Sequence, residues 1–355
     1  MRFGYWTPVF GGWLRNVDIE QEQTPLTFAH LAEIARTAEA VGFDVTLIPE
    51  LNLNDIRGFE GPTFDAWATT TALAAVTQRI ELMVALRPSY HPPALAAKQA
   101  ATIQAISGGR FTLNVVSAWW AEEARQYGVE FRAHDDRYAL TAEYVEVLRG
   151  LWTETPYSHA GASFTLEGTY LEPKPETLPL IYAGGESEAG RAAISGFADA
   201  YLTHGGTVDE LAAKIDDMRR RRQERGGEPF RHFGMAAYAI VRDTEEEAQA
   251  ELERITDVRG GAAYASYQEF VSKSQLDTQV DLKDYSVSNR GLRPGFVGTP
   301  KQVAEKILAF EAVGVDTLLL QFSPALAELE RFAEQVIPLV RAGSDRIAER
   351  FASIG

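Results

Sequence analysis

The chain of 355 residues contains no cysteine. Disulfides, thiolate nucleophiles, iron–sulfur clusters and cysteine-ligated zinc are thereby excluded together. Basic residues are in deficit: 34 Lys+Arg face 50 Asp+Glu, a net charge of −16 that opposes binding to nucleic acid or to anionic membranes. The Arg219 to Arg222 run is the local exception, and at helical spacing it reads as a solvated face. No apolar run approaches the roughly 20 residues of a membrane span, and the N-terminal Met1 to Pro8 shows no basic n-region followed by an apolar h-region. A cytoplasmic enzyme or binding protein is the expectation. Recognisable motifs are also missing: there is no H-E-x-x-H, no evident nucleophile–base–orienter triad and no G-x-G-x-x-G after the first strand.

What is present is a rhythm. Short β-rich runs at Arg2 to Thr7, Val45 to Pro49, Ile80 to Leu86, Arg110 to Val116, Leu180 to Ala183, Ala200 to Thr203, Gly234 to Val241 and Thr317 to Gln321 alternate with stretches of helical periodicity. Eight such units in one chain favour a closed (β/α)8 barrel, with a doubly wound open sheet as the alternative. Pro92-Pro93 opens one helix, and Tyr144, Val147, Leu148 and Leu151 mark the apolar face of the strongest one. Two segments break the rhythm: about 157–172, read as an inserted hairpin, and 259–295, read as a lid. One domain over residues 1–355 is the expected organisation.

In such a barrel the chemistry lies at the C-terminal ends of the strands. That rule selects Thr7, Pro49, Glu50, Arg87, Ser117, Gly184, Gly185, His204, Tyr238 and Gln321. The set is poor in reactive groups, which points to chemistry supplied by a cofactor. Ala183 to Ser187 reads AGGES where a strand gives way to a helix. Such a turn can cradle a phosphate through glycines, backbone N–H groups and the helix dipole, or be a plain turn with Ser187 as N-cap. His134 to Tyr138 (HDDRY) opens the strongest helix. Either Asp135 or Asp136 caps it, or Arg137 and Tyr138 serve an anionic ligand. Trp119 and Trp120 either pack or wall a ligand site.

Taken in order, ALAAKQAATIQAISGGRFTLNVVSAW (Ala94 to Trp119), HDDRY, EYVEVLRGLW (Glu143 to Trp152), AGGES, VRDTEEEA (Val241 to Ala248) and VGTPKQVAEKI (Val297 to Ile307) resemble the bacterial luciferase-like, FMN-dependent monooxygenases over nearly the whole chain. Within that family the sequence most resembles dimethyl sulfone monooxygenases and pyrimidine oxygenases, and alkanesulfonate monooxygenases more distantly. The resemblance implies a (β/α)8 barrel that takes reduced FMN from a separate NAD(P)H-dependent FMN reductase and inserts one oxygen from O2 into a small molecule. A homodimer or homotetramer goes with it. Carried over by position, Pro49, Glu50, Asn114 and Glu123 would meet the flavin. Arg137, Tyr138 and Ser187, with Gly184 and Gly185, would hold its ribityl chain or phosphate. Trp6, Trp119 and Trp120 would form an apolar wall, and Tyr238 or His204 would handle a proton.

One departure is informative. Sulfonate oxidisers of the family carry an Arg and a His where this chain has Ala236 and Tyr238. An anionic substrate would lose its cationic partner there, so a neutral one is expected, a sulfone or a heterocycle. Arg290 and Arg293, in the expected lid, are candidates to replace those charges. Two alternatives stay open: a deazaflavin-dependent oxidoreductase, and a non-catalytic flavin-binding chain.

Overall fold

The computed structural model describes residues 1–15, 25–117, 120–257 and 291–352, the last seven by backbone alone. Trp119, Arg290 and most of the expected lid lie outside the described residues.

The first half of the chain runs β1 (Arg2–Trp6), α1 (Phe28–Val41), β2 (Val45–Ile48), α2 (Ala66–Val76), β3 (Glu81–Leu86), α3 (Pro93–Ser107) and β4 (Phe111–Val115). A short α4 (Ala121–Gln126) and the long α5 (His134–Thr153) follow, then an antiparallel pair, β5 (Tyr157–Ala160) and β6 (Thr165–Thr169). The second half continues with β7 (Ile181–Gly184), α6 (Glu188–Phe197), β8 (Ala200–Thr203), α7 (Val208–Glu224), β9 (Phe233–Tyr238), β10 (Ile240–Val241) and α8 (Glu245–Thr256). It closes with β11 (Val297–Gly298), α9 (Pro300–Ala312), β12 (Thr317–Gln321), α10 (Ala325–Gln335) and α11 (Ile337–Ala352).

Eight parallel strands close into a barrel in the order β1-β12-β9-β8-β7-β4-β3-β2. The alternation of runs therefore did specify a (β/α)8 barrel, and the open sheet is excluded. The expected strand Gly234 to Val241 is two: β9 stays in the barrel, while β10 leaves it to pair with β11. Tyr238 is the last residue of β9 in register with β12, opposite Gln321, and its own N–H donates to the carbonyl of Gly291 at 2.7 Å.

Period-two alternation divides the packing into two layers. Val45, Leu47, Met83, Tyr182, Ala200, Leu202 and Leu319 fill the barrel, while the opposite faces of the same strands pack under the helices. The interior tolerates little bulk: a Cβ on Gly4 would stand 2.6 Å from Cγ1 of Val45. At the N-terminal end, Arg2 closes the floor by bridging Glu81 at 2.7 Å and the Tyr182 hydroxyl at 3.0 Å.

Arg110, the arginine of the ISGGRF stretch, works outside the barrel. Its guanidinium donates to the carbonyls of Ala74 (3.1 Å), Thr77 (3.0 Å), Ile80 (2.8 Å) and Ser107 (2.7 Å) and to the Thr77 hydroxyl (3.0 Å). It thus satisfies carbonyls at the C-terminal end of α2, where a cation is favoured. Arg110→Met should lower stability by about 2–3 kcal/mol, because half-buried carbonyls lose a charged donor. A urea titration of the two proteins checks this.

Candidate active site

At the C-terminal mouth the strand ends bring together an ion network under the loops after β2 and β4. Arg87, directly after β3, is 2% exposed, and Glu123 of α4 is fully buried. One guanidinium nitrogen of Arg87 pairs with Oε2 of Glu123 and the other lies 3.2 Å from Oε1. Its backbone N–H (2.9 Å) and Nε (3.3 Å) both donate to Oε2 of Glu50. Glu50 also meets Nε2 of His91 at 2.5 Å, and Glu123 accepts from the backbone N–H groups of Asn52 and Leu53 and from the Tyr90 hydroxyl.

Burial alone would lower the Arg87 pKa, but its hydrogen bond to Glu123 and the charges of Glu50 and Glu123 outweigh that and raise it. Burial, against the opposing pull of Arg87, pushes the Tyr90 phenol up to about 12. The structure thus spends Glu50 and Glu123 on Arg87. Their carboxylates organise the walls of the mouth.

The turn after β7 draws several expected residues together. Ser187 is the N-cap of α6 and accepts from the Gly190 N–H at 3.1 Å. Nε2 of His134 lies 3.5 Å from the Ser187 hydroxyl. The Tyr138 hydroxyl fills the space beside the turn: a Cβ on Gly185 would stand 3.0 Å from it, and one on Gly190 2.7 Å. Gly185 and Gly190 therefore make room for the phenol, and its oxygen sits on the turn. Arg137 rests on Phe131. Its guanidinium lies 4.5 Å over the Phe131 ring and donates to the Arg132 carbonyl. Neither Asp135 nor Asp136 caps α5: the N-cap is Ala133, and both acids sit in the first turn, where they favour the helix dipole.

On the next sector, Oε1 of Glu186 accepts from the Thr203 hydroxyl (2.9 Å), the His204 N–H (3.1 Å) and His204 Nδ1 (3.3 Å), and Oε2 accepts from Lys214 at 3.0 Å. One turn earlier on α7, Glu210 pairs with Arg293 at 2.6 Å. A backbone hydrogen bond from Thr207 and the charge of Arg293 hold the Glu210 carboxyl below its ordinary range. Arg293 is thus already committed to a carboxylate. The Arg219 to Arg222 run is only partly a solvated face: Arg219 and Arg220 are exposed, whereas Arg221 joins Glu188 to Asp217 and Arg222 lies over the Phe230 ring.

Among the described residues, the buried polar atoms without a hydrogen-bond partner include Oδ1 of Asn114 on β4 and Nε1 of Trp6 on β1. Trp6 meets Trp13 edge to face, with centroids 5.8 Å apart. Such orphans at a barrel mouth are what a bound heterocycle would satisfy.

Sequence reasoning missed His91, Tyr90, His134, Glu186, Glu210 and Lys214. Glu210 had a signal, the T-x-x-E capping box that opens α7. The Glu186–Lys214 and Glu50–His91 contacts had none, since 28 and 41 residues separate the partners. Among the described residues no group of His, Asp and Glu could hold a metal ion, and no helix is long and apolar enough to cross a membrane.

A family model described as luciferase-like monooxygenase matches residues 1–317. The chain is 34% identical, with 98% of each sequence covered, to an FMNH2-dependent dimethylsulfone monooxygenase of Pseudomonas fluorescens (strain Pf0-1). It is 35% identical to a protein of the same name from Pseudomonas putida, over 96% of this chain and 95% of that one. The solved structure of an EDTA monooxygenase from Chelativorans sp. BNC1 superposes with a TM-score of 0.80 at 19% identity, over 96% and 93% of the two chains, a likeness of fold.

Proposed function

The chain belongs to the luciferase-like monooxygenase family, and from that premise we propose that it uses reduced FMN and O2 to insert one oxygen atom into a small neutral sulfone such as dimethyl sulfone. A separate NAD(P)H-dependent reductase would supply the reduced flavin, as the FMNH2-dependent naming of the relatives suggests.

The residues at the mouth fit a phosphorylated flavin. Ser187, the first N–H groups of α6 and the Tyr138 hydroxyl would hold the phosphate, in a turn where glycine alone leaves room for the phenol. Arg137 makes no ion pair among the described residues and stands next to Tyr138 in sequence, free to answer a dianion. The orphaned Oδ1 of Asn114 would accept a ring N–H, and Nε1 of Trp6 would donate to a ring or substrate oxygen. Bound reduced flavin supplies the electrons that activate O2. The chain's part is to keep water out with Trp6 and its neighbours and to hold the Arg87 network as a rigid wall. His204 at the rim, with Nδ1 against Glu186, and Tyr238, buried at the end of β9, are the groups able to hold or deliver a proton at the substrate.

The choice of a neutral substrate rests on one observation: among the described residues, Arg87, Lys214 and Arg293 are each already paired with a carboxylate. Arg87 serves Glu50 and Glu123, Lys214 serves Glu186 and Arg293 serves Glu210, while the strand positions Ala236 and Tyr238 carry no cation. A sulfonate would have to displace a placed carboxylate at each. The test supplies the protein with FMN, NADH, a generic flavin reductase and isotopically labelled O2, against a panel of sulfones, sulfonates and neutral heterocycles. One labelled oxygen is expected in the product of a small sulfone. Labelling of sulfonates alone would overturn the substrate class, and failure to bind reduced FMN anaerobically would overturn the cofactor.

A further inference from the structure

The turn assigned to the phosphate carries a carboxylate of its own. Glu186 stands between Gly185 and Ser187, so an unscreened charge there would repel a dianion held by Ser187. The geometry disposes of that charge. The Glu186 side chain is 13% exposed and folds away from the α6 N-terminus toward β8 and α7. Oε1 takes hydrogen bonds from the Thr203 hydroxyl, the His204 N–H and His204 Nδ1, and Oε2 takes the Lys214 ammonium at 3.0 Å. Lys214 also reaches the Thr203 hydroxyl at 3.5 Å, which ties the ammonium to the strand end as well. The second acid of this turn, Glu188, is answered by Arg191 at 3.0 Å and Arg221 at 2.8 Å.

We propose that Lys214 is a specificity determinant for phosphorylated flavin: by holding and neutralising Glu186, it makes the turn after β7 acceptable to a phosphate. The inference rests on the FMN reading above and adds a residue that need not touch the cofactor. Lys214 acts through Glu186 and is a positioning residue. Its effect is electrostatic, so it should discriminate FMN from riboflavin, which shares the ring and ribityl chain and lacks the phosphate.

The experiment measures anaerobic binding of reduced FMN and reduced riboflavin by fluorescence quenching, in the wild-type protein and in Lys214→Met, Glu186→Gln and the double variant. Wild type should prefer FMN. Lys214→Met should lose about tenfold or more in FMN affinity with riboflavin affinity unchanged. Glu186→Gln, which leaves the Lys214 ammonium unbalanced, should bind FMN at least as tightly as wild type, and the double variant should recover wild-type affinity, because the uncompensated charge is gone. The recovery separates the electrostatic role from misfolding. Equal losses for both flavins, an unaffected Lys214→Met, or a double variant no better than Lys214→Met would each overturn the proposal. A wild-type protein that shows no preference for FMN would overturn the phosphate reading itself.

Discussion

Arg87→Met should cost about 3–5 kcal/mol of stability, the range found when one partner of a buried ion network is removed. The reason is the charge left behind. Glu50 and Glu123 are 8% and 0% exposed and both turn to Arg87, so the methionine would leave Glu123 with neutral donors alone and Glu50 with His91 and a backbone N–H, both carboxylates held out of water. Tyr144, buried with an unpartnered hydroxyl and pushed up by burial and by the charge of Glu50, offers no relief as an acid. Arg87→Lys retains the charge and loses the fork that reaches Glu123 with two nitrogens while Nε meets Glu50, so an intermediate loss is expected. Urea midpoints rank the three proteins. A lysine variant as stable as wild type would show that charge alone matters, and a methionine variant as stable would remove the network from the account of the mouth.

The second large effect belongs to Gly190→Ala, which should weaken FMN binding roughly tenfold to hundredfold, the worth of one charge-assisted hydrogen bond. The added Cβ would stand 2.7 Å from the Tyr138 hydroxyl, 2.9 Å from Cζ and 3.1 Å from the Ser187 oxygen. The phenol must move, and the cap with it. Stability should not fall in parallel, because alanine is the better helix former within α6. Gly196→Ala provides the control. It lies on the same helix, and its Cβ would meet only the Arg225 guanidinium at 3.4 Å. Anaerobic titration of both variants with reduced FMN checks the pair. Unchanged affinity in Gly190→Ala would detach the Tyr138–Ser187 turn from the cofactor.

The fold was legible because its signals are local. Strand runs such as Val45 to Ile48 and Thr317 to Gln321 are short, β-branched or leucine-rich, and bounded by turn residues, and the helices between them are opened by Pro93 or Thr207 and stopped by Gly42 or Gly108. Ordinal position along the chain then fixed which residues stand at the mouth, Arg87 and His204 among them. Side-chain partners were not legible, because they depend on which way a residue turns once it is there. Glu50 and Glu123, which the resemblance assigns to the flavin, are both turned to a third residue, Arg87, that no spacing rule connects to them. Arg137 shows the same limit: adjacent to Tyr138, it faces Phe131. Asp135 and Asp136 were attractive caps by residue type, but the helix begins one turn-position too early for either to serve.

The seam of the barrel has a consequence for how the molecule is made. β1 pairs in parallel with β12, Arg2 against Thr317, so the first barrel strand to be synthesised waits for the last barrel strand before its open edge is covered. Until then a partly assembled sheet offers two unpaired edges to its neighbours, and the ring can close only after nearly every other strand has found its register.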